Sequence, residues 1–588
     1  MRLIFFIIGF IFSQMFFILR NIVFFGIHAI IIYVLSQIIT SKKIFISRDR
    51  MIYNFISIMF VKFLINVLIK NIYWTLFLTY VLFYVLSLGF YFLHEFRGNS
   101  LYFADIFCIA TAKEVAGGYK YDIKMEFIIS LVCTILSLSI FRTSINMANN
   151  LFILFRIGIA MLFYTILRTI CSQNKFNYSL NAGETEGYIY NFISSCPIFY
   201  IDFTTVGANA KNTVGADSIR PIMKNVGAVI DCPKGTNANN TVGAKFTSPS
   251  DAPHVIVIMN ESFSHINERI KTNIDVTPVY DNLSGVLKGN LLVNTFGGGT
   301  ETTEFEFLTA MHVGSNPYPI YPYNQIKSDK YTIAKFFDDN GYRTIAMHPY
   351  TATNYHRNVI YKLFGFKDLF FYDDFKYKDT VRNYVSDESM YDEVIDKFEE
   401  TKKDGKKTFL FGITMQNHSG YDSFEGQEIE VTDNFADKKS LNSYLSLLHI
   451  SDKSIQKLID YFDKENERVL ICFFGDHNAS FSPSINKKIY DISNYYEGKN
   501  VYETPFFIYD NKNKTDEYIK QLSTNFLTIE LLKRTGLELT DYYKLINGIY
   551  EKAYYMNFHK EKMRDDNLLY YINSKEKEYM SYKPEFLK

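Results

Sequence analysis

The chain has 588 residues, 62 Lys and Arg against 62 Asp and Glu, and 17% aromatic side chains. A formal net charge of +0 supplies no global field for nucleic acid, so nucleic-acid binding is excluded as the main role. The length suits a membrane bundle followed by one large α/β domain. Six cysteines contain no Cys-x-x-Cys pair, which argues against a zinc ribbon.

Apolar runs occur at about 3–19, 22–41, 52–70, 73–93, 126–142 and 151–171. Several approach the roughly 20 residues that cross a bilayer core. A cleaved signal peptide is excluded as the whole explanation, because the apolar character continues far past the first run. The loop Ser41-Lys42-Lys43-Ile44-Phe45-Ile46-Ser47-Arg48-Asp49-Arg50 is basic and is placed in the cytoplasm. Lys62 in the middle of 52–70 sets that run apart as interfacial or half-inserted. About five spans remain over 1–172, which places everything after them outside the cell. With 52–70 counted as a sixth span, loop charge alone no longer gives an external C-terminal side. The segment 94–125 is expected as a short amphipathic helix at the interface.

Residues 173–250 change character to Asn, Thr, Gly and Ala. Val-Gly-Ala recurs at Val206, Val214, Val226 and Val242 without a fixed period, so this stretch reads as a polar linker and not as a solenoid. Cys196 and Cys232 flank it and are either a disulfide or two free thiols. Cys472 falls in an apolar run and is expected in the core.

From 251 to 588 short apolar runs alternate with helical patterns. Strands are expected at 254–259, 342–347, 408–414, 469–474 and 504–509, and helices at 303–312, 330–340, 387–402, 440–463 and 526–535. That alternation predicts an α/β domain, a sheet flanked by helices. Polar residues follow the strands directly: Glu261, His348, His418, Asp476 and His477. In open α/β sheets the ligand site lies beyond the carboxyl ends of the strands.

Thr300 follows Gly297-Gly298-Gly299 and opens a helical pattern. Its bland reading is an N-cap. Its functional reading is a nucleophile, held where glycines admit a substrate and free helix N–H groups attract a phosphate. If it is a nucleophile, Thr302 or Thr303 takes over capping. The absence of a Lys after the glycines excludes a P-loop. A threonine hydroxyl is a weak nucleophile without a base or a metal. Glu261, Asp476 and His477, with Thr300 Oγ as a fourth ligand, are a mixed carboxylate–imidazole set suited to Mn²⁺ or Zn²⁺; Mg²⁺ would want more oxygen ligands. His348 and His418 are phosphate or leaving-group contacts, and Arg357 carries a planar fork for phosphate.

The residues Ile256-Val257-Ile258-Met259-Asn260-Glu261-Ser262, the glycine turn ending in Thr300 with Glu304-Phe305, Asn417-His418 and Gly475-Asp476-His477 resemble the lipoteichoic acid synthase and phosphoglycerol transferase branch of the alkaline phosphatase and sulfatase superfamily. The resemblance spans about 254–510. It implies an alkaline-phosphatase/sulfatase-like mixed sheet, with Glu261, Thr300, Asp476 and His477 as manganese ligands and Thr300 as nucleophile. It also implies His348, Tyr355, Arg357 and His418 as contacts to glycerophosphate. Tyr355 stands where those synthases carry a Trp, and Tyr350 where they carry an acidic residue. A formylglycine sulfatase is disfavoured, since Thr300 lacks the Cys/Ser-x-Pro-x-Arg context.

The expected function is a multi-pass membrane protein with an extracellular catalytic domain. It would move glycerol phosphate from phosphatidylglycerol to a polymer or glycolipid acceptor through a covalent threonine intermediate. The alternatives are a phosphoethanolamine transferase or a phosphodiesterase or sulfatase-type hydrolase of the same fold, and then a non-enzymatic scaffold.

Overall fold

A computed structural model of the protein describes residues 23–40, 48–69, 71–97, 101–103, 105, 124–140, 150–173, 188–196, 252–266, 269–313, 322–435, 438–490 and 501–551. They divide into two compact units, one ending before residue 213 and one running from 252 onward. The first apolar run, the linker with its Val-Gly-Ala triplets, and most of 94–125 lie outside the described residues.

The first unit is helical: α1 (Val23–Ile39), α2 (Arg48–Ile69), α3 (Ile72–Arg97), α4 (Met125–Ile140), α5 (Asn150–Gln173) and the short α6 (Tyr188–Ser194). Two stretches, Arg48–Ile69 and Ile72–Leu93, are long and apolar enough to cross a membrane. The first of these is the run set apart because of Lys62. The bundle shelters that lysine completely. Its Nζ donates to the Phe25 carbonyl at 2.8 Å and lies 5.2 Å from the Phe25 ring centre. Other polar groups also turn inward. His28 Nδ1 sits 2.9 Å from the Tyr80 hydroxyl, and Asn66 Nδ2 donates to Thr75 Oγ1 at 2.9 Å. Leu68, Val85 and Leu162 meanwhile face outward, more than half exposed. Polar groups inside and large apolar side chains outside are the pattern of a bundle surrounded by lipid. Cys133 and Cys472 are free thiols, and Cys232 lies outside the described residues.

The second unit is built on an eight-stranded sheet in the order β10-β2-β9-β8-β1-β7-β3-β4. Its strands are β1 (His254–Asn260), β2 (Val286–Leu292), β3 (Arg343–His348), β4 (Asp368–Phe371), β7 (Thr408–Ile413), β8 (Val469–Gly475), β9 (Glu503–Asp510) and β10 (Glu517–Ser523). A separate antiparallel pair is formed by β5 (Thr380–Val381) and β6 (Tyr384–Val385). The run β8-β1-β7-β3-β4 is parallel throughout, and only β9 is reversed against its neighbours. Parallel strands covered on both faces read as continuous apolar runs, and β1, β7 and β8 are buried along their whole length.

Helices of this unit include α7 (Thr300–Thr309), α8 (Ile333–Asp339), α9 (Arg357–Leu363), α10 (Asp387–Lys403), α11 (Lys438–Asp463) and α12 (Thr524–Thr535). Phe409 and Phe411 point to one face of β7. There Phe337 of α8 stacks on Phe409 at 4.4 Å, and Phe307 of α7 lies 5.9 Å from Phe411. Gly412 leaves the opposite face open to Met390 of α10, whose Cε would lie 2.7 Å from a Cβ placed there. The result is a sheet between two helical layers, with aromatic rings as the main filler.

Register sets the site. Asn260 pairs with Gly475, Met259 with Ile413, and Met347 with Gly412. The last residues of β1, β8, β7 and β3 therefore share one edge, and the residue after each strand emerges there.

Candidate active site

Three side chains converge at that edge. Glu261, Asp476 and His477 place one ligand atom each within 4.8 Å of one another. His477 Nε2 lies 3.2 Å from Asp476 Oδ2 and 3.7 Å from Glu261 Oε1. All three are buried, with Asp476 fully so. Ser262, in the left-handed region at φ 51°, braces the group. Its N–H donates to Asp476 Oδ1 at 2.7 Å and its hydroxyl to Glu261 Oε1 at 2.8 Å. Asp476 Oδ2 has no hydrogen-bond partner. Two carboxylates at this separation repel by roughly 3 kcal/mol at an effective dielectric of 20. Burial adds a desolvation cost to each. An orphaned carboxylate oxygen beside a second carboxylate and an imidazole is a donor set that fits a divalent cation.

Thr300 is the first residue of α7, and Gly299 before it stands at φ 85° as the N-cap. The expectation that Thr302 or Thr303 caps the helix is corrected, because the glycine backbone occupies that position. Thr303 instead donates its hydroxyl to the Asp476 carbonyl at 2.7 Å. That bond ties the opening turn of the helix to the carboxylate-bearing turn, and Thr300 lies one helical turn before it. Glu301 is buried, and its carboxyl is pushed well above the usual range by burial and then by Glu304, against the pull of Arg357. The first turn of α7 thus adds little negative charge where its N–H groups attract anions.

His348 ends β3 and is buried, its Nδ1 3.5 Å from the Ile413 carbonyl. Burial, then Arg357, holds its imidazole well below the usual pKa, with His418 adding to the effect. The ring is therefore neutral at physiological pH. Tyr355 and His356 both occupy the left-handed region, at φ 51° and 56°. Two such non-glycine residues in succession store strain of the kind found at ligand sites. Arg357 lies over the Tyr355 ring at 5.0 Å.

The Arg357 fork is not presented to solvent. Nη2 and Nε donate to Glu304 Oε2 at 2.9 and 3.1 Å, and Nη1 donates to Asn354 Oδ1 at 2.6 Å. Both members of the ion pair are 1% exposed or less. A direct phosphate grip would have to displace Glu304. His418 sits in the turn after β7, with its Nδ1 3.2 Å from the Tyr384 hydroxyl. Asn417 beside it is a brace: it donates to Asn260 Oδ1 at 3.2 Å and to Ser451 Oγ at 2.9 Å, while Asn260 donates to Asp387 at 2.7 Å.

The structure thus brings Glu261, Asp476 and His477 together, links Thr300 to them through α7, and sets His348 within electrostatic reach of Arg357 and His418. Ser262, Arg382 and Tyr384 do not stand out in the sequence as site residues. Ser262 is adjacent to a recognised glutamate, which was a usable signal. The other two carry none.

The sheet thus ends in two carboxylates and an imidazole that could hold a metal ion, beside a helix opened by a hydroxyl residue. Residues 253–537 match the Sulfatase family model. The chain is 28% identical over 426 residues to the "Putative cyclic beta-1,2-glucan modification protein" of Rhizobium meliloti (strain 1021), covering 68% of this chain and 62% of that one. It is 29% identical over 238 residues to the capsular polysaccharide biosynthesis protein RkpI of the same organism, covering 39% of this chain and 41% of that one. The chain thus spans less than two thirds of the length of these relatives. Among solved structures it is similar to the Streptococcus pyogenes phosphoglycerol transferase GacH in complex with sn-glycerol-1-phosphate. That likeness has 24% identity, a TM-score of 0.48, and covers 57% of this chain and 87% of the other.

Proposed function

We propose that the protein is a membrane-anchored phosphoglycerol transferase, with residues 1–172 as anchor, 173–250 as linker and 251–588 as an extracellular catalytic domain. It moves glycerol phosphate from phosphatidylglycerol to a hydroxyl on a polymer or glycolipid. The names of the relatives, one for glucan modification and one for capsular polysaccharide, support a carbohydrate acceptor. The observation that carries the reading is the Glu261–Asp476–His477 cluster, bonded through Thr303 to the helix that Thr300 opens.

Glu261, Asp476, His477 and the Thr300 hydroxyl would hold the cation, Mn²⁺ by the ligand chemistry; Zn²⁺ and Mg²⁺ are the alternatives. When bound, a divalent ion supplies Lewis acidity that favours the ionised hydroxyl. The protein groups do the rest. Thr300 attacks the head-group phosphorus, diacylglycerol leaves, and a glycerophospho-threonine remains. The N–H groups of the first turn of α7 face the phosphoryl oxygens. His418 carries the proton to the leaving oxygen. His348, as a neutral imidazole, and Tyr355 hold the glycerophosphate, and Arg357 contributes its charge from behind Glu304.

To check this, Thr300→Ala and the native protein are incubated with labelled phosphatidylglycerol and manganese, and diacylglycerol is measured. A mass increment on the Thr300 peptide of the native protein is expected, and none on the variant. Undiminished diacylglycerol release by Thr300→Ala would remove the nucleophile. Turnover of phosphatidylethanolamine in place of phosphatidylglycerol would reassign the donor.

A further inference from the structure

The segment Thr380-Val381-Arg382-Asn383-Tyr384-Val385 has no polar signature in the sequence that marks it for chemistry. In the fold it is a hairpin, with Val381 opposite Tyr384 and Arg382-Asn383 as the turn. Arg382 stands at φ 58°, a conformation that costs a non-glycine residue roughly 1–2 kcal/mol. What holds it there is the turn that carries His418. Arg382 Nη1 donates to the Gly420 carbonyl at 2.8 Å, and Nη2 donates to the carbonyls of Gln416 at 3.0 Å and His418 at 2.6 Å. One guanidinium thus closes three acceptors of a single loop. Its Cζ also lies 5.6 Å from the Tyr384 ring centre. Tyr384 then meets the histidine itself: its hydroxyl is 3.2 Å from His418 Nδ1, and the two rings are 5.3 Å apart. Past the hairpin, the Asp387 N–H donates to Gln416 Oε1 at 3.0 Å. The same stretch of chain therefore grips the His418 turn by its backbone, its side chains and its imidazole.

We propose that Arg382 and Tyr384 are positioning residues that make His418 the proton carrier of the transfer reaction, an inference that rests on the transferase reading above. In this arrangement His418 Nδ1 carries the hydrogen donated to the Tyr384 oxygen, which leaves Nε2 for the reacting groups. In the first half-reaction the bond from Thr300 Oγ to phosphorus forms and the bond from phosphorus to the diacylglycerol oxygen breaks. That oxygen takes the proton from His418 Nε2. In the second half-reaction the acceptor hydroxyl gives its proton to Nε2. Its oxygen bonds phosphorus, and Thr300 Oγ leaves as the alkoxide with which it began. One Nδ1–H bond to a neutral hydroxyl serves both halves, because the partner stays the same whether Nε2 is protonated or bare. Arg382 fixes the loop so that the ring does not swing away from Tyr384.

The test uses the full-length protein in vesicles. Native and Tyr384→Phe proteins are compared on phosphatidylglycerol, whose alkoxide leaving group needs a proton, and on bis(p-nitrophenyl) phosphate, whose leaving group does not. General acid–base catalysis contributes about 10²–10⁴-fold. The loss in Tyr384→Phe on the lipid is expected to exceed its loss on the nitrophenyl ester by at least tenfold. Arg382→Lys, which keeps the charge without the fork, should show the same selective loss to a smaller degree. Equal losses on both esters would reduce the hairpin to a structural support. Nitrogen NMR of histidine-labelled protein, with His418→Asn to assign the signal, reads the tautomer independently of turnover. With the ring titrated to its neutral form, the single remaining proton is expected on Nδ1 in the native protein and shared between both nitrogens in Tyr384→Phe. A proton on Nε2 in both would overturn the inference. A native protein that cleaves the ester but not the lipid would sink the proposed donor, while the tautomer still decides the role of Tyr384.

Discussion

Arg357 and Glu304 form an ion pair that water does not reach: Nη2 to Oε2 is 2.9 Å, and Tyr323 donates its hydroxyl to the same carboxylate at 2.6 Å. Burial disfavours the charge on Arg357, and Glu304 more than offsets it, so the guanidinium stays protonated. Removing one partner from such a pair leaves an uncompensated buried charge, at a cost of about 3–5 kcal/mol. Glu304→Ala and Arg357→Ala are each expected to lower the stability of the α/β unit by that order. The double variant should lose less than the sum. Denaturant unfolding of the four proteins measures the coupling. Additive losses would mean that the pair does not organise the loop 354–357.

The Glu304–Arg357 pairing also shows where the sequence stops being legible. Glu304 and Arg357 are 53 positions apart, and nothing local announces that the arginine fork is already engaged. The central strands, and the convergence of Glu261, Asp476 and His477, are legible for a different reason. Apolar runs such as 254–259 and 469–474 end in a charged or imidazole residue, and in a parallel sheet all such ends meet at one edge. The strands β2, β4 and β10 were not legible: β10, at one edge, reads Glu-Tyr-Ile-Lys-Gln-Leu-Ser with polar residues breaking the apolar run, β4, at the other edge, is only 4 residues long, and β2, inside the sheet, is interrupted by Lys288, Gly289 and Asn290. The hairpin with Arg382 and Tyr384 was missed because its partners, the carbonyls of 416–420, belong to the backbone and have no letter in the sequence. Lys62 meets the same limit: the cost of a lysine in an apolar run depends on what it faces, and its partner here is the Phe25 backbone carbonyl of a neighbouring helix.

Cation binding should stabilise the domain. The orphaned Asp476 oxygen and the adjacent Glu261 carboxylate repel in its absence. A ligand at a hundred times its dissociation constant adds about 2.7 kcal/mol to the folded state. Thermal melts of the full-length protein with manganese and with chelator are expected to differ by several degrees. Asp476→Asn and Glu261→Gln should each abolish most of that difference. A melt indifferent to manganese in the native protein would contradict a resident cation at this cluster.

Glu306 predicts a pH dependence of stability. It is buried on α7, where it accepts from Val313 N–H at 2.8 Å and Asn294 Nδ2 at 2.7 Å, and burial outweighs both bonds and pushes its pKa up to about 8. Its value in the unfolded chain is 4.5. Between these two values the folded state keeps a proton that the unfolded state has released. Stability from this group is thus fully present below about pH 4.5 and is lost as pH rises through about 8. The loss amounts to a few kcal/mol at about 1.4 kcal/mol per unit. Glu306→Gln removes the titration. Its melting temperature should exceed that of the native protein at pH 8 by more than it does at pH 5. A constant difference between the two pH values would show that the carboxyl ionises in the fold as easily as outside it.

Gly475 tests the register on which the site rests. It is the last residue of β8, opposite Asn260, and Asp476 and His477 of the candidate cation cluster follow it. A Cβ at this position would lie 1.9 Å from the Phe263 carbonyl oxygen and 3.1 Å from Thr504 Cβ. The first contact is with backbone, so no rotamer change relieves it. Either the turn 260–263 or the end of β8 must move. Both carry members of the candidate cation cluster: Glu261 on one, Asp476 and His477 on the other. Gly475→Ala is therefore expected to lower manganese affinity at least tenfold while the sheet, buried along β1 and β8, survives with normal far-UV circular dichroism. Isothermal titration with manganese reads the first quantity directly. An alanine variant that binds manganese like the native protein would mean that the ends of β1 and β8 are looser than their pairing indicates, and that the cluster does not depend on their close approach.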